Sequence, residues 1–168
     1  SNPIENPDFI FVIEDSAIKA PEVGRFTLSR PATLRVDPEM VTTSSICYQQ
    51  LPIMFCLEGT AREGVNVGVV TLRDLPSKLL EPYLPEDLAV KTSLNGVLTG
   101  QYINQEDFIG VADISLAEGE VRYQLQGREL IVPLKSTFVR ARAVPEGVES
   151  ELEIDWGKYL RADGSGKM

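Results

Sequence analysis

Histidine is absent from this chain, and cysteine occurs only twice among its 168 residues. Without an imidazole the chain cannot form a Ser-His-Asp or Cys-His catalytic arrangement or a His-ligated metal centre. Long hydrophobic runs are also missing: the longest, Phe9–Ile13, is far shorter than the about 20 residues that a membrane-spanning helix needs. We therefore expect no enzyme activity, no metal or other cofactor, and no membrane span in this chain.

Positive charge is in short supply. Lys and Arg number 16 against 25 Asp and Glu, a formal net charge of -9, which disfavours nucleic acid and anionic membrane surfaces as partners. The first residues carry no basic stretch followed by an apolar one, so no signal peptide is expected. Ser1 and Asn2 are typical of the remnant that a cleaved tag leaves.

The composition favours an all-β chain with one short helix, because Val, Ile and Thr supply 36 of the 168 residues and these types are enriched in strands. The helix is predicted near residues 75–84, within DLPSKLLEPYL, where Pro76 suits a first helical turn. We expect it to cap one end of the β structure. Strands are predicted at 9–14, 24–29, 32–36, 53–58, 65–72, 88–94, 97–103, 108–116, 120–126, 136–144 and 148–156.

Several predicted strands alternate strictly between apolar and polar residues. In VESELEIDW, residues 148–156, the acidic side chains occupy every second position, so one face is wet and the other apolar. Consecutive strands of this kind build an antiparallel sheet with one continuous apolar face. That face has to be covered by a second sheet, by curling of the sheet on itself, or by a ligand. A closed sandwich core and an open groove both remain compatible with the pattern.

A loose internal repeat places a glycine two residues after a leucine. It occurs at Gly59, Gly96, Gly100 and Gly127. Glycine at such positions suits bends or bulges in a strongly curved sheet, and equally suits the ordinary turns of a meander.

Cys47 and Cys56 flank a turn signal, Gln49-Gln50-Leu51-Pro52. Their spacing suits a hairpin closed by a disulfide, which favours an oxidising compartment; two buried free thiols are the alternative. A redox active site is disfavoured, because the spacing is not Cys-x-x-Cys and no acid-base partner is present.

Other candidate chemistry is weak. The acidic residues of 148–156 have a spacing compatible with paired-carboxylate catalysis, but they are expected on a solvated face. Arg140 and Arg142 lie two residues apart on one strand, where they suit pairing with surface carboxylates, or contact with an anionic headgroup at a groove rim. No residue is predicted to be catalytic.

Three segments resemble the TamB family of translocation and assembly module subunits, related to AsmA-like proteins. They are ICYQQLPIMFCLEGTAREG, LRDLPSKLLEPYLPEDLAVKTSLNGVLTG and DISLAEGEVRY. The resemblance implies that residues 1–168 form a single β-taco segment: a long, curved, mostly antiparallel sheet folded into an open groove. It also implies a periplasmic protein, anchored to the inner membrane by a segment absent here, that engages an outer-membrane β-barrel partner, TamA, through another region.

The resemblance implies a hydrophobic groove that conducts phospholipid acyl chains between the inner and outer membranes and supports outer-membrane biogenesis. A scaffold or chaperone for autotransporter-type β-barrel assembly, binding unfolded outer-membrane proteins, is the alternative; an acidic β-sandwich recognition module is a third. The expected groove wall comprises Val67, Val90, Leu94, Phe108, Ile114, Leu116, Val121, Tyr123, Leu125, Leu152, Ile154 and Trp156.

Overall fold

The computed structural model describes residues 8–20, 24–103, 107–145, 147–155 and 161–167. Almost all of them lie in strands of open antiparallel sheets, which confirms the all-β class. The strands are β1 (Phe9–Ile13), β2 (Ala17–Ala20), β3 (Gly24–Leu28), β4 (Ala32–Val36), β5 (Met40–Gln50), β6 (Ile53–Arg62), β7 (Val65–Pro76), β8 (Leu88–Lys91), β9 (Ser93–Ile103), β10 (Asp107–Leu116), β11 (Gly119–Leu125), β12 (Arg128–Leu134), β13 (Ser136–Val144), β14 (Gly147–Asp155) and β15 (Arg161–Lys167).

The main sheet has 12 strands, ten of them in the order β1-β4-β5-β6-β7-β9-β10-β13-β14-β15, while β3 pairs with β5 and β2 with β3. A second sheet has the order β12-β11-β8. Most partners are also close neighbours along the chain, so short turns suffice to connect them. In the described part of the chain the main sheet stays open, with β1 and β15 at its ends, an architecture consistent with a β-taco groove.

Four strands lie outside the sequence predictions: β2, β5, β12 and β15. The register of β5 shifts between Thr43 and Ile46, so a bulge breaks the alternation that would reveal the strand. Pro133 in β12 argues against a central strand, but β12 lies at a sheet edge, where proline is tolerated. The glycine-rich and polar sequence of β15 is typical of a loop.

The predicted short helix near residues 75–84 is confirmed, and the structure gives its bounds and type. A 3-10 helix covers Ser77–Tyr83, whereas the preceding residues continue β7, with Leu75 opposite Leu94. Pro76 is extended, with φ -67 and ψ 134, and therefore precedes the helix instead of opening it. Pro82 lies inside the helix and removes one backbone donor that a longer α-helix would need.

The 3-10 helix covers the outer edge of β8. The hydroxyl of Ser77 donates to the carbonyl oxygen of Val90 at 2.5 Å and accepts from the Thr92 N–H at 3.0 Å. Ser77 is buried. The helix therefore satisfies backbone groups of an edge strand, which matches the expectation that it caps the β structure.

Asn95 and Gly96, which separate the predicted strands 88–94 and 97–103, lie in the interior of a strand. β9 runs through both residues, with Gly96 opposite Ile114. Asn-Gly is a strong hairpin signal, but here the Asn95 carboxamide oxygen accepts the N–H of Asp74 at 3.1 Å. Asp74 lies where the β7–β9 register shifts, so the asparagine satisfies a backbone donor at a bulge.

A closed hydrophobic core is missing from the described residues. Their buried apolar side chains are Phe26, Ala32, Cys47 and Leu134. The accessible surface is 11970 Å², against about 8,200 Å² expected for a compact monomer of this mass. The best covered part is an aromatic cluster in which Phe55 lies 5.4 Å from Phe26 and 5.5 Å from Tyr48, measured between ring centroids.

Cys47 and Cys56 are directly opposite each other on β5 and β6 and form a disulfide. Only Leu51 and Pro52 separate the two strands, so the bond closes a short hairpin. Since the hairpin lies within the main sheet, the crosslink fixes the register of two interior strands.

We expect a Cys47→Ala, Cys56→Ala double variant to lose about 2–4 kcal/mol of unfolding free energy, because the unfolded chain gains conformational freedom without the crosslink. Chemical denaturation followed by circular dichroism measures the loss. Reduction of the unmodified chain should lower its stability similarly. An unchanged denaturation midpoint in both experiments would contradict a stabilising role for the disulfide.

Candidate functional site

The main sheet has one apolar face, which can be traced through its register because directly opposed residues lie on the same side. From Ile114 the register leads to Gly96 and Val139 on the adjacent strands. Continuing from strand to strand gives a surface made of small and apolar residues. We call it the apolar face; its larger members include Phe9, Phe11, Leu34, Val41, Ile46, Phe55, Leu57, Val70, Leu72, Leu94, Leu98, Tyr102, Phe108, Ile114, Leu116, Val139 and Val148.

The opposite face mixes β-branched residues with charged and polar ones. Its charges are arranged as cross-strand neighbours: Asp113 is opposite Arg140, which is opposite Glu151. The Arg140 Nε donates to the Asp113 carboxylate at 2.6 Å, so the predicted pairing of Arg140 with a carboxylate is confirmed. This hydrogen bond, aided by attraction to Asp113 and Glu151, raises the pKa of Arg140 above its ordinary value.

The apolar face is concave where its central strands meet. One cavity of ≈ 470 Å³ is lined by Val41, Thr43, Gly59, Thr60, Ala61, Asn66, Val67, Gly68, Gly100, Tyr102 and Phe108. A second of ≈ 390 Å³ is lined by Leu57, Gly68, Val70, Leu98, Thr99, Gly100, Phe108, Gly110, Val111, Ala141, Ala143 and Val148. The two share Gly68, Gly100 and Phe108. Together they form an open trough that crosses the strands from β5 to β14, with no charged residue in its lining.

Glycines form part of the trough floor. Gly59 is opposite Gly68, Gly68 is opposite Gly100, and Gly100 is opposite Gly110. A Cβ atom added at Gly68 would meet no heavy atom within 4 Å, so the space above this position is open. The glycines therefore deepen the trough by leaving out side chains in four adjacent strands.

The second sheet carries its own apolar face. Val121 is opposite Val90 and Val132, and Tyr123 is opposite Leu88 and Leu130. Large side chains on this face are exposed; Leu125, for instance, is 54% accessible. The second sheet follows the main one without a linker, because β8 leads into β9 and β10 leads into β11 through short connections.

Two contacts hold these connections together. The hydroxyl of Thr92 donates to the Ala117 carbonyl oxygen at 2.6 Å, and the N–H of Ala117 donates to the Ser93 carbonyl oxygen at 2.9 Å. Gly119 is required by close packing, since a Cβ there would collide with the backbone of Lys91. The junction between the sheets is therefore a defined structural feature.

Tyr123 is held to the segment before β8. Its hydroxyl donates to the Asp87 carboxylate, and this hydrogen bond, together with the nearby negative charge, raises the pKa of Tyr123 above its ordinary value. The N–H of Gln124 also donates to the Asp87 carbonyl oxygen at 2.9 Å. Asp87 thus orients β11 through both backbone and side chain.

The structure divides the expected wall residues into separate groups. Leu94, Phe108, Ile114 and Leu116 share the apolar face of the main sheet, whereas the following residues share one face of the second sheet: Val90, Val121, Tyr123 and Leu125.

Val67 differs from these groups. It alternates with Asn66 and Gly68 along β7, so its position in the ladder is on the opposite face, yet it is among the residues that line the first cavity. Leu152 and Ile154 are opposite Val139 and Thr137 in the ladder, but their side chains lie outside the described part of the chain. Trp156 also lies outside it.

Several trough residues were not predicted as wall. Leu57, Val70, Leu98 and Tyr102 line the cavities. Leu57 lies between Cys56 and Glu58 in a predicted strand, so alternation gave a signal for it, whereas the other three each have an apolar neighbour. Sequence reasoning did not place these residues together, because the register between neighbouring strands cannot be read from one sequence.

The described ranges contain no helix with the length and apolar character needed to cross a membrane. The same ranges hold no group of three acidic or cysteine side chains suited to a metal ion.

Comparison with models of known families gives a match over most of the chain. The family model described as "TamB, N-terminal domain" matches residues 12–168. No curated protein and no solved structure matches the chain.

Replacing Asp87 with Asn should lower the pKa of Tyr123 toward its ordinary value, because the carboxylate no longer stabilises the protonated phenol. In the unmodified chain this interaction stabilises the fold below the ordinary tyrosine pKa and is lost as the pH rises through the raised one. An ultraviolet titration that follows tyrosinate formation should show one tyrosine ionising at a lower pH in Asp87→Asn than in the unmodified chain. Tyr123→Phe is the control, and identical titrations of Asp87→Asn and the unmodified chain would contradict the assignment.

Proposed function

The chain belongs to the TamB family, and from this membership we propose that it is part of a periplasm-spanning protein whose trough conducts phospholipid acyl chains between the inner and outer membranes. Membership indicates a general role in outer-membrane assembly or lipid transport. Transport of acyl chains along the trough is the more specific proposal, and it supports outer-membrane biogenesis.

The observation that carries the proposal is an exposed, uncharged and concave apolar face. Apart from the aromatic cluster, the described residues supply no second layer to cover it, and Phe108 remains 49% accessible. Exposed apolar area of this extent marks a binding surface. Moving a 16-carbon chain into water costs on the order of 13 kcal/mol, at about 0.8 kcal/mol per methylene. A trough that keeps the chain out of water lowers this barrier.

The distribution of charge favours a lipid that slides along the trough over one that is bound tightly at a single position. The cavities have no charged lining, so no position in them would hold a headgroup strongly. Charged residues lie on the opposite face, and the net charge of -9 keeps the outer surface away from anionic lipid layers. We propose that headgroups remain at the open side of the trough and that no catalytic residue takes part.

Family membership also supports the proposed location and partners. We propose that the chain lies in the periplasm, in a protein anchored to the inner membrane by a segment outside these 168 residues. Contact with the outer-membrane β-barrel protein TamA is proposed to involve a region outside them as well. The disulfide between Cys47 and Cys56 is compatible with the oxidising periplasm.

A second candidate function, scaffolding of outer-membrane β-barrel proteins, is favoured by one observation. β12 is at the edge of the second sheet, and Leu130 and Ile131 on it are exposed. An edge strand of this kind can pair with an extended polypeptide.

Photo-crosslinking from Ile131 in the full-length protein tests the scaffold function. Capture of unfolded outer-membrane proteins from this position, but not from the exposed Glu58 in the sheet interior, is the expected result for a scaffold. Capture of phospholipid alone from both positions would disfavour it.

Placing a charge on the apolar face of the main sheet tests the conduit. We expect Ile114→Arg to abolish phospholipid adducts of the purified chain in native mass spectrometry, and to increase outer-membrane permeability when introduced into the full-length protein. A buried guanidinium makes the apolar path unfavourable. Ser115→Arg adds the same charge to the opposite face and should leave both readouts unchanged.

Stable Ile114→Arg protein with normal lipid adducts and an intact outer membrane would overturn the conduit. Thermal denaturation of both variants verifies folding. Leu125→Asp extends the test to the second sheet, where a loss of adducts would show that its apolar face belongs to the same path.

A further inference from the structure

The four glycines of the trough floor form a straight row across the strands. Gly59, Gly68, Gly100 and Gly110 follow one another by direct register on β6, β7, β9 and β10. At about 4.8 Å between strands, the row is about 14 Å long. It runs along the trough, perpendicular to the strands. We call this row the glycine track.

Side chains flank the glycine track on both sides. On one side of the track, the residues two positions from the glycines along the strands include Leu57, Val70 and Leu98. On the other side they are Ala61, Asn66, Tyr102 and Phe108. These rows are about 13 Å apart, since each is two residues from the track. The side chains of the two rows therefore bound the space above the track on both sides.

Phe108 lies over one end of the track. A Cβ atom at Gly110 would be 2.8 Å from its Cε1, and a Cβ at Gly100 would be 3.2 Å from its Cε2. The ring therefore occupies space that exists because both positions lack side chains. Next along the track, Gly68 has open space above it, and at the far end a Cβ at Gly59 would be 3.1 Å from the carbonyl oxygen of Val67. Both cavities include Gly68, Gly100 and Phe108, so passage between them follows the track and meets the ring.

The chemistry of the track selects a hydrocarbon over a polypeptide. All four of its strands are paired on both sides, so their backbone N–H and C=O groups are already engaged within the sheet. A polypeptide lying in the track would bury its own amides without partners, which is costly. A hydrocarbon has no such groups, and the uncharged lining complements it.

We infer that the glycine track is the path of a single extended acyl chain, and that Phe108 is a gate whose ring lies on this path and rotates toward solvent when a chain passes. This inference rests on the proposed function and adds a defined path and a gating residue to it. Rotation is feasible because the ring is 49% accessible. Phe108 thereby sets how readily a chain moves between the two cavities.

The test uses the purified chain and vesicles of phosphatidylethanolamine in which one acyl chain carries a diazirine. After transfer and illumination, crosslinked peptides are identified by mass spectrometry. Crosslinks should concentrate on the flanking rows, at Leu57, Val70 and Leu98. Crosslinks confined to the second sheet or to the opposite face of the main sheet would overturn the track.

Gly68→Leu blocks the path with a side chain that points into open space. We expect crosslinking to fall about tenfold, the effect of losing contact with about two methylene groups. Ser115→Leu is the matched control on the opposite face and should retain normal yield. If Gly68→Leu does not fold, Gly68→Ala replaces it with a smaller expected loss, and normal yield from a folded Gly68 variant would overturn the track.

Phe108→Ala removes the gate and should accelerate lipid uptake, whereas Phe108→Trp should slow it. Equal uptake rates in these variants and the unmodified chain would overturn the gate. The outcomes separate the two proposals: if the unmodified chain takes up no lipid, the conduit itself fails. If uptake is normal but insensitive to Gly68 and Phe108 variants, only the track and gate fail.

Discussion

The alignment of residues between neighbouring strands determines both the stability of this fold and the composition of its faces. With so few side chains buried in the described residues, the fold is held mainly by backbone hydrogen bonds between neighbouring strands and by contacts within each face. The register also decides what each face contains. A slip of one residue in any strand would exchange its apolar and polar sides, so the trough exists only while the ladder keeps its alignment.

Several local features secure that alignment. The disulfide between Cys47 and Cys56 locks one strand pair, and the Asp113–Arg140 ion pair joins another. At the bulge in β7, Asn95 satisfies the backbone of Asp74. These features lie away from the trough or at its margins. The cavities proposed to meet lipid are thus free of charged side chains that would hold a headgroup or a charged partner.

The class of the fold and the existence of an apolar face could be predicted from the sequence, because alternation in segments such as 108–116 is a local property. Alternation failed to indicate three strands for identifiable reasons. These are the bulge near Thr43 in β5, the edge proline Pro133 in β12, and the polar composition of β15. The glycine track could not be predicted. Gly59, Gly68, Gly100 and Gly110 are distant in sequence, and they form a row only through the alignment of four strands. Val67 also depends on this alignment: its position in the ladder is on the opposite face, yet it borders the first cavity.

The open apolar face has a consequence for the thermodynamics of unfolding. The heat capacity increment and the denaturant dependence of unfolding both scale with the apolar area newly exposed. In this chain much of that area already faces solvent in the native state. The stability curve should therefore be flatter with temperature, and the denaturant slope shallower, than in a globular domain of the same length. A hydrocarbon bound in the trough would increase both the heat capacity increment and the denaturant slope. Calorimetry can therefore report the filling of the trough without a label.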